Sequence, residues 1–284
     1  MNGSIDTRLC SRIWTTGLAL GLMGGVLTAA EAARSQWVYA VDTTIEATGV
    51  VITPRDAATD LGAGPIAVAP PTVLPVTSRL NALQPDGADT LFTTREAVLL
   101  SGSLFASAAD IVRTDGTTHA IEFDALAAGL PRGVAVDAVA IAGNGDLLLS
   151  FDVSLELSGA FHDDEDLVGY DGAVFYGFFD GSAASIPTTL DLDGAHLDAA
   201  VNSLLVSFDS AGSVGGVVFA REDILRFDRD DSSWSLAFDA SARDAAFATS
   251  DLVAVPEPNA AFTVASAAAT LALLSYRRRS RIAR

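Results

Sequence analysis

The densest group of potentially reactive side chains is a run of acidic residues in the middle of the sequence. The segment HDDEDL, residues 162–167, places four carboxylates in consecutive positions: Asp163, Asp164, Glu165 and Asp166. Carboxylate oxygens are the hard ligands that Ca²⁺ prefers, and a cation would relieve the repulsion among them. The run therefore predicts a metal site formed by these four residues, and calcium is the only cofactor that the sequence suggests.

A structural interpretation of the same run competes with the metal site. Successive residues of an extended strand point to opposite faces, so the four side chains cannot all reach one ion. The related segment AREDIL, residues 220–225, keeps only Glu222 and Asp223. In this interpretation, which we favour, the Asp–Glu pair opens a strand and the other acids are solvated turn residues. A second segment, TLDLDGAH (residues 189–196), also resembles a calcium loop but lacks the glutamate at the expected distance.

Catalytic patterns are scarce in the rest of the chain. The three histidines, His119, His162 and His196, fall at different points of the repeated unit described below. The sequence contains no GxSxG, HExxH, Walker or CxxC motif. We therefore expect a protein that is not an enzyme. A Ser-His-Asp triad can assemble from distant residues, so a secreted hydrolase stays open as an alternative.

The charge of the chain excludes one large class of partners. The 284 residues carry a formal charge of −19, and every basic side chain is Arg. Residues 34–255 contain 33 acids and ten Arg, which gives this part a charge of −23. So much negative charge repels phosphate backbones, and we exclude nucleic acid as a partner. The sole cysteine is Cys10, so a chain without its first residues could form no disulfide.

The body of the chain consists of four copies of one unit. Residues 137–182 recur as residues 203–241, and weaker copies cover residues 85–125 and 37–61. Four glycines align at spacings of 53, 57 and 57 residues, namely Gly49, Gly102, Gly159 and Gly216. Repeats of this length are typical of stacked or radially arranged structural units.

Each full unit is predicted to hold about four short strands. In the clearest copy these are DAVAIA, DLLLSF, EDLVGY and AVFYGFF, and SLEL extends the second hairpin. Four-stranded repeats of 40–60 residues are typical of β-propeller blades. The first copy begins at a second strand, and residues 242–255 supply only a first strand. We therefore predict an all-β, four-bladed propeller closed by pairing of its terminal strands, with an open sandwich or a β-solenoid as alternatives.

Aromatic residues in the repeats are predicted to pack in the core. Five Phe-Asp pairs end strands, with the ring between blades and the aspartate accepting turn N–H groups. The pairs begin at Phe123, Phe151, Phe179, Phe208 and Phe238. Trp37, Tyr170, Tyr176 and Trp234 could instead stack on a sugar, although core packing is the favoured interpretation.

The N-terminus has the pattern of a secretory signal peptide. Arg8 and Arg12 form a positive region, an apolar run covers residues 13–30, and small residues stand at the −3 and −1 positions of a cleavage site after Ala32. We therefore expect residues 1–32 to form a signal helix that is removed during export. The β-repeat ectodomain would then cover residues 35–254.

The C-terminus combines three features in order. The sequence VPEP contains Pro256, Glu257 and Pro258. Residues 260–276 follow as about 17 uncharged positions, the lower limit for a transmembrane helix. The span ends at Arg277, Arg278 and Arg279, and basic residues stay on the cytoplasmic side of a membrane. The ectodomain would then lie outside.

This combination resembles the PEP-CTERM sorting signal of Gram-negative bacteria over residues 255–284. The resemblance implies that Pro256, Glu257 and Pro258 are recognised by an exosortase-type processing enzyme and that the tail is removed. It further implies transient anchoring in the inner membrane and delivery to the cell surface or the extracellular matrix. We expect a non-enzymatic protein of the envelope or exopolysaccharide, structural or adhesive in role. A carbohydrate-binding module that engages exopolysaccharide is the alternative.

Overall fold

The computed structural model describes residues 37–61, 66–69, 74–250 and 252–255. The predicted signal peptide with its cleavage site at Ala32, the motif at Pro256, Glu257 and Pro258, and the tail containing Arg277, Arg278 and Arg279 lie outside these residues. Within the described part of the chain, no helix has the length and apolar character needed to cross a bilayer.

The first two repeats contain eleven short strands. The first has β1 (Trp37–Val41), β2 (Ile45–Ala47), β3 (Val50–Ile52), β4 (Ala57–Asp60) and β5 (Ala67–Ala69). The second has β6 (Leu80–Asp86), β7 (Asp89–Thr94), β8 (Val98–Leu99), β9 (Phe105–Ala106), β10 (Ile111–Thr114) and β11 (His119–Phe123), with a 3₁₀ turn at Ser101–Ser103.

The last two repeats follow the same plan. The third has β12 (Val136–Ile141), β13 (Leu147–Phe151), β14 (Leu155–Leu157), β15 (Ala160–His162), β16 (Leu167–Tyr170) and β17 (Phe175–Phe179). The fourth has β18 (Leu192–Asp198), β19 (Ser203–Phe208), β20 (Gly212–Val214), β21 (Val217–Phe219), β22 (Ile224–Asp228) and β23 (Ser233–Phe238). The chain continues through α1 (Ala240–Arg243), a 3₁₀ helix (Ala245–Thr249) and β24 (Leu252–Val255).

The strands form four antiparallel blades of four strands each. From the inner to the outer strand, the blades are β24-β1-β4-β5, β6-β7-β10-β11, β12-β13-β16-β17 and β18-β19-β22-β23. We number them 1 to 4 in this order. A separate two-stranded hairpin connects the second and third strands of every blade. The segment SLEL was predicted to extend the second hairpin of the unit. Instead it supplies strand β14 of the separate β14–β15 hairpin.

The predicted closure of the ring is confirmed. Strand β24 pairs antiparallel with β1, with Val255 opposite Val38 and Leu252 opposite Val41. The inner strands contact one another in a circle, β24 to β6, β6 to β12, β12 to β18 and β18 back to β24. The described chain is therefore a four-bladed β-propeller whose first blade is built from both ends of the repeat region.

The four aligned glycines occupy the turns of the connecting hairpins. Their φ values are 79° for Gly49, 75° for Gly102, 82° for Gly159 and 85° for Gly216. Only glycine adopts this left-handed region without a steric penalty. In three hairpins the preceding residue also has a positive φ, as a tight two-residue turn requires. The repeat spacing read from the sequence therefore reflects one recurring turn.

The Phe-Asp pairs pack as predicted but occupy two different positions. Phe123, Phe179 and Phe238 end the outermost strands, whereas Phe151 and Phe208 end second strands. All five rings are buried, and they contribute to the apolar layers between neighbouring blades. The aspartates that follow accept backbone N–H groups at 2.7–3.3 Å.

One aspartate recurs at the start of the third strand of every blade. We call these residues, Asp56, Asp110, Asp166 and Asp223, the loop aspartates. In each blade, Oδ2 accepts the backbone N–H of the residue three positions earlier at 2.8–3.1 Å. In blades 2 to 4, Oδ1 accepts an N–H from just beyond the fourth strand. One carboxylate thus ties the beginning of the third strand to the end of the fourth.

The same loop also connects each blade to the next. The carbonyl oxygen two residues before the loop aspartate accepts the first N–H of the following inner strand. These bonds run from Leu80 to Pro54 at 2.8 Å, from Val136 to Ala108 at 3.2 Å and from Leu192 to Asp164 at 3.4 Å. The conformation of this loop therefore determines how adjacent blades meet.

Replacement of a loop aspartate should destabilise the whole ring. Asp223 is 6% exposed and accepts the N–H groups of Ala220 and Ala240. Asp223→Ala would leave both donors without a partner, and we expect a loss of about 2–4 kcal/mol in the free energy of unfolding. Urea unfolding followed by circular dichroism measures this loss. Glu46→Gln, on an exposed strand position, is the matched control, and equal midpoints for the two variants would contradict the assigned role.

Candidate functional site

The four acids of the HDDEDL segment do not converge on one site. Asp166 is a loop aspartate whose oxygens accept the N–H groups of Asp163 and Gly181 at 3.1 and 2.9 Å. Glu165 is fully buried, and its Oε1 accepts the hydroxyl of Ser182 at 2.8 Å. Among the described residues, no three acidic, histidine or cysteine side chains are arranged to hold a metal. The fold thus uses these carboxylates separately, and a calcium site formed by all four stays a prediction.

Asp164 has a different environment from its three neighbours. Its carbonyl oxygen accepts the Ser150 hydroxyl at 3.1 Å and the N–H of Leu192 at 3.4 Å. These bonds hold Asp164 beside the start of β18, in the next blade. Leu192 belongs to the second segment with calcium-loop character, TLDLDGAH, so Asp164 links the two segments.

Asp191, from that second segment, is surrounded by acidic residues. Its main chain forms two hydrogen bonds with Asp209. The Asp191 N–H donates to Oδ1 of Asp209 at 3.3 Å, and the Asp209 N–H donates to the Asp191 carbonyl oxygen at 3.1 Å. Burial raises the pKa of Asp191 to about 8, with further contributions from the negative charges of Asp164, Asp209 and Asp152. Oδ1 of Asp191 is buried and has no hydrogen-bond partner.

The most unusual side chain of the group is Asp137, on the inner strand of blade 3. It is 5% exposed, and neither carboxylate oxygen has a hydrogen-bond partner among the residues that the structure describes. Burial raises its pKa well above the ordinary value, and the charges of Asp191 and Asp193 raise it further. A buried carboxylate without a donor is costly, so this position calls for a chemical explanation. We define the acidic cluster as Asp137, Asp152, Asp164, Asp191, Asp193 and Asp209.

The repeat offers a direct comparison for Asp137. Asn81, Asp137 and Asp193 all lie at the register shift near the start of an inner strand. In blade 2, the side-chain amide of Asn81 donates to the carbonyl oxygen of Val136 at 3.1 Å. An aspartate carboxylate has no N–H to donate, so blade 3 lacks the bond that the asparagine makes.

Asp137 was not predicted from the sequence as a functional residue. The available signal was a single acid inside the apolar run VAVDAVAIA, residues 134–142, where a strand was already predicted. Alignment of this acid with Asn81 in the second copy would have marked it as a polar residue at a buried position. Asp152 and Asp209 were predicted to accept turn N–H groups; instead each accepts the N–H of a residue just before an inner strand, Ala135 and Asp191 respectively.

The histidines belong to three different blades and form no shared site. His119 lies on β11, His162 on β15 and His196 on β18. Burial, together with the positive charge of Arg226, lowers the pKa of His196 to about 3. Its Nδ1 lies 3.4 Å from the amide oxygen of Gln84, on the inner strand of the opposite blade.

One serine–histidine pair lies near the surface of blade 2. Nε2 of His119 is 3.2 Å from the Ser101 hydroxyl and 2.6 Å from the Ser101 carbonyl oxygen. The shorter contact requires Nε2 to donate, and in that state it cannot accept the hydroxyl proton. Nδ1 has no partner, so no carboxylate orients the ring as a catalytic triad requires.

The aromatic residues considered for sugar stacking pack within the propeller. Trp37 is 6% exposed and lies against Phe238, with ring centres 5.1 Å apart. The indole N–H of Trp234 donates to the Ala184 carbonyl at 2.8 Å. Tyr170 packs on Phe123 and Phe175, and the Tyr176 hydroxyl donates to Asp146. The predicted core packing is confirmed for Trp37, and the other three rings also have protein partners.

Comparison with known proteins adds little to this site. No family model matches the chain, and no curated protein resembles it. Solved structures with a similar arrangement include the extracellular domain of the putative one-component system BT4673 from B. thetaiotaomicron, at 10% identity and a TM-score of 0.30. That match covers 70% of this chain and 22% of the other.

Two further structures show comparable likeness. One is YCF48 bound to D1 peptide, at 9% identity and a TM-score of 0.29, with coverage of 72% of this chain and 67% of that one. The other is a protein of unknown function from Bacteroides caccae, at 11% identity and a TM-score of 0.24, with coverage of 72% and 57%. Likeness at this level says nothing about a ligand, and the acidic cluster must be interpreted from its own chemistry.

Asp137→Asn should stabilise the protein in buffer that contains a chelator. At pH 8, folding must either bury the Asp137 charge or take up a proton, and both cost free energy. We expect the melting temperature to rise by about 2–4 °C, the shift that about 1 kcal/mol produces in a domain of this size. Differential scanning calorimetry measures the shift.

The pH dependence of this stability difference, and a matched control variant, test whether the buried Asp137 carboxylate causes it. A raised folded-state pKa means that the penalty is absent below about pH 4, the ordinary value for Asp, and grows as the pH rises. The difference between Asp137→Asn and the parent chain should therefore be smaller at pH 4 than at pH 8. Glu156→Gln removes an exposed charge from the same blade and should change little. Destabilisation by Asp137→Asn at pH 8 would overturn the explanation.

Proposed function

We propose that this chain is an exported, non-enzymatic protein of the cell surface or extracellular matrix, with a structural or adhesive role in the envelope or exopolysaccharide. The observation that carries the proposal is the C-terminal pattern, in which Pro256, Glu257 and Pro258 precede an uncharged span and Arg277, Arg278 and Arg279. The signal-peptide pattern of residues 1–32 supports it from the other end of the chain.

The two terminal patterns define a route through the envelope. The N-terminal segment would direct export, and the uncharged span would hold the chain in the inner membrane of a Gram-negative bacterium. The positive-inside rule would keep the Arg-rich end in the cytoplasm and the propeller outside. An exosortase-type enzyme would then recognise the Pro-Glu-Pro motif and release the ectodomain to its destination.

The properties of the ectodomain are compatible with such a destination. A charge of −23 over residues 34–255 favours solubility and attracts cations. Strand β1 pairs with β24 on one side and β4 on the other, so it has no open edge of the kind that promotes aggregation. The Ser101–His119 pair lacks an orienting acid, which supports a role in binding or structure over hydrolysis.

Replacement of both prolines of the motif tests the sorting route. The double variant Pro256→Ala/Pro258→Ala, produced in a Gram-negative host that has an exosortase-type enzyme, should stay in the inner-membrane fraction at its unprocessed mass. The parent chain should reach the surface or medium as a shorter product. Fractionation followed by intact-mass measurement distinguishes the two.

Two controls make this experiment specific. Pro131→Ala changes an exposed loop proline of the propeller and should be processed like the parent chain. A host without the enzyme should retain the parent chain in the membrane as well. Normal processing of the double variant would contradict the proposed route.

A further inference from the structure

We propose that Asp137 and Asp191 of the acidic cluster bind one hard divalent cation, for which Ca²⁺ is the probe. The site joins blades 3 and 4 and differs from the four-residue HDDEDL site predicted from the sequence. It involves neither the sorting signal nor the destination of the protein, so it stands or falls independently of the proposed function.

The carboxylate of Asp137 and one oxygen of Asp191 have unmet bonding capacity. Both oxygens of Asp137 and Oδ1 of the half-buried Asp191 are enclosed, and no described residue forms a hydrogen bond to them. Strand β12, which carries Asp137, contacts strand β18, which begins directly after Asp191 and contains Asp193. The negative charges of Asp191 and Asp193 also raise the pKa of Asp137. Several negative charges in a poorly solvated place repel each other strongly, and a cation is the species that removes both costs at once.

The equivalent position in blade 2 shows which hydrogen-bond donor Asp137 lacks. There, Asn81 is 8% exposed and supplies its own donor to the carbonyl oxygen of Val136. Asp137 occupies the same place in blade 3 at similar burial but adds a charge and loses the donor. No described residue donates a hydrogen bond to the Asp137 carboxylate, so a positive partner from outside would complete the position.

The burial of the site and the type of its ligands favour a small, hard cation as this partner. Asp137 is 5% exposed, which favours a small ion over an amine or guanidinium carried by another molecule. Every candidate ligand is an oxygen atom, the preference of Ca²⁺. Since no three acidic side chains of the described residues are arranged to hold a metal, main-chain carbonyls and water would supply the other ligands. Ca²⁺ commonly takes such mixed sets of about 6–8 oxygens.

A cation at this place would also stabilise the ring. Asp137 belongs to the inner strand of blade 3, and Asp191 directly precedes the inner strand of blade 4. An ion bound by both would connect two blades and would bind the folded chain only, because the unfolded chain does not bring these residues together. The melting temperature should then rise with ion concentration.

The test is a Ca²⁺ titration of the full chain, purified in detergent and freed of metal with a chelator. Isothermal calorimetry should show saturable binding of one ion per chain, and the melting temperature should rise with added Ca²⁺. Asp137→Asn should weaken the affinity at least tenfold and remove the thermal shift. Asp191→Asn should act in the same direction.

Glu156→Gln is the matched control, since it removes one exposed negative charge from blade 3. It should bind Ca²⁺ like the parent chain. Two results would overturn the proposal. In one, no saturable binding occurs up to about 10 mM Ca²⁺, above the range of weak extracellular sites, and Asp137 is simply a neutral carboxylic acid. In the other, Asp137→Asn binds Ca²⁺ as tightly as the parent chain, and the ion lies elsewhere.

Discussion

The loop aspartate is the interaction on which the rest of the propeller depends. Its carboxylate fixes the turn before the third strand and, in blades 2 to 4, the exit from the fourth strand. The same turn presents the carbonyl oxygen that receives the first N–H of the next inner strand in three of the blade junctions. Buried backbone groups must find partners, so one side chain that organises several of them determines the local geometry of each blade and the angle to its neighbour.

A ring of only four blades brings its inner strands very close together. The inner strands of blades 2 and 3 carry Ala82 and Ala138 at equivalent places, both at most 1% exposed, and Gly194 is the counterpart in blade 4. Side chains of this size permit the circular contacts between inner strands. Pairing of β24 with β1 then completes the four-stranded sheet of blade 1, which contains strands from both ends of the repeat region.

The internal repeats made most of the fold predictable from the sequence, whereas the environments of the carboxylates were not predictable. Strand periodicity, the Gly-containing turns and the incomplete first and last units led directly to a closed four-bladed ring. The environments of Asp163 to Asp166 could not be predicted, because sequence spacing does not show which carboxylate will accept hydrogen bonds from backbone N–H groups. Asp166 accepts two backbone N–H groups, Glu165 is buried against Ser182, and the main chain of Asp164 is hydrogen-bonded to the neighbouring blade. Asp137 was overlooked because one acid in an apolar strand has no motif around it.

Internal repeats also separate structural residues from residues that need another explanation. The loop aspartate occurs in all four blades and makes the same bond to its own turn in each, which is the behaviour of a structural residue. At the inner-strand bulge, by contrast, asparagine in blade 2 is fully compatible with the fold, and aspartate in blade 3 is buried with no partner. The scaffold therefore did not require a carboxylate at Asp137. Burial of the Asp137 carboxylate without a hydrogen-bond donor destabilises the fold. This unfavourable free energy distinguishes the acidic cluster from the many other acids of the chain.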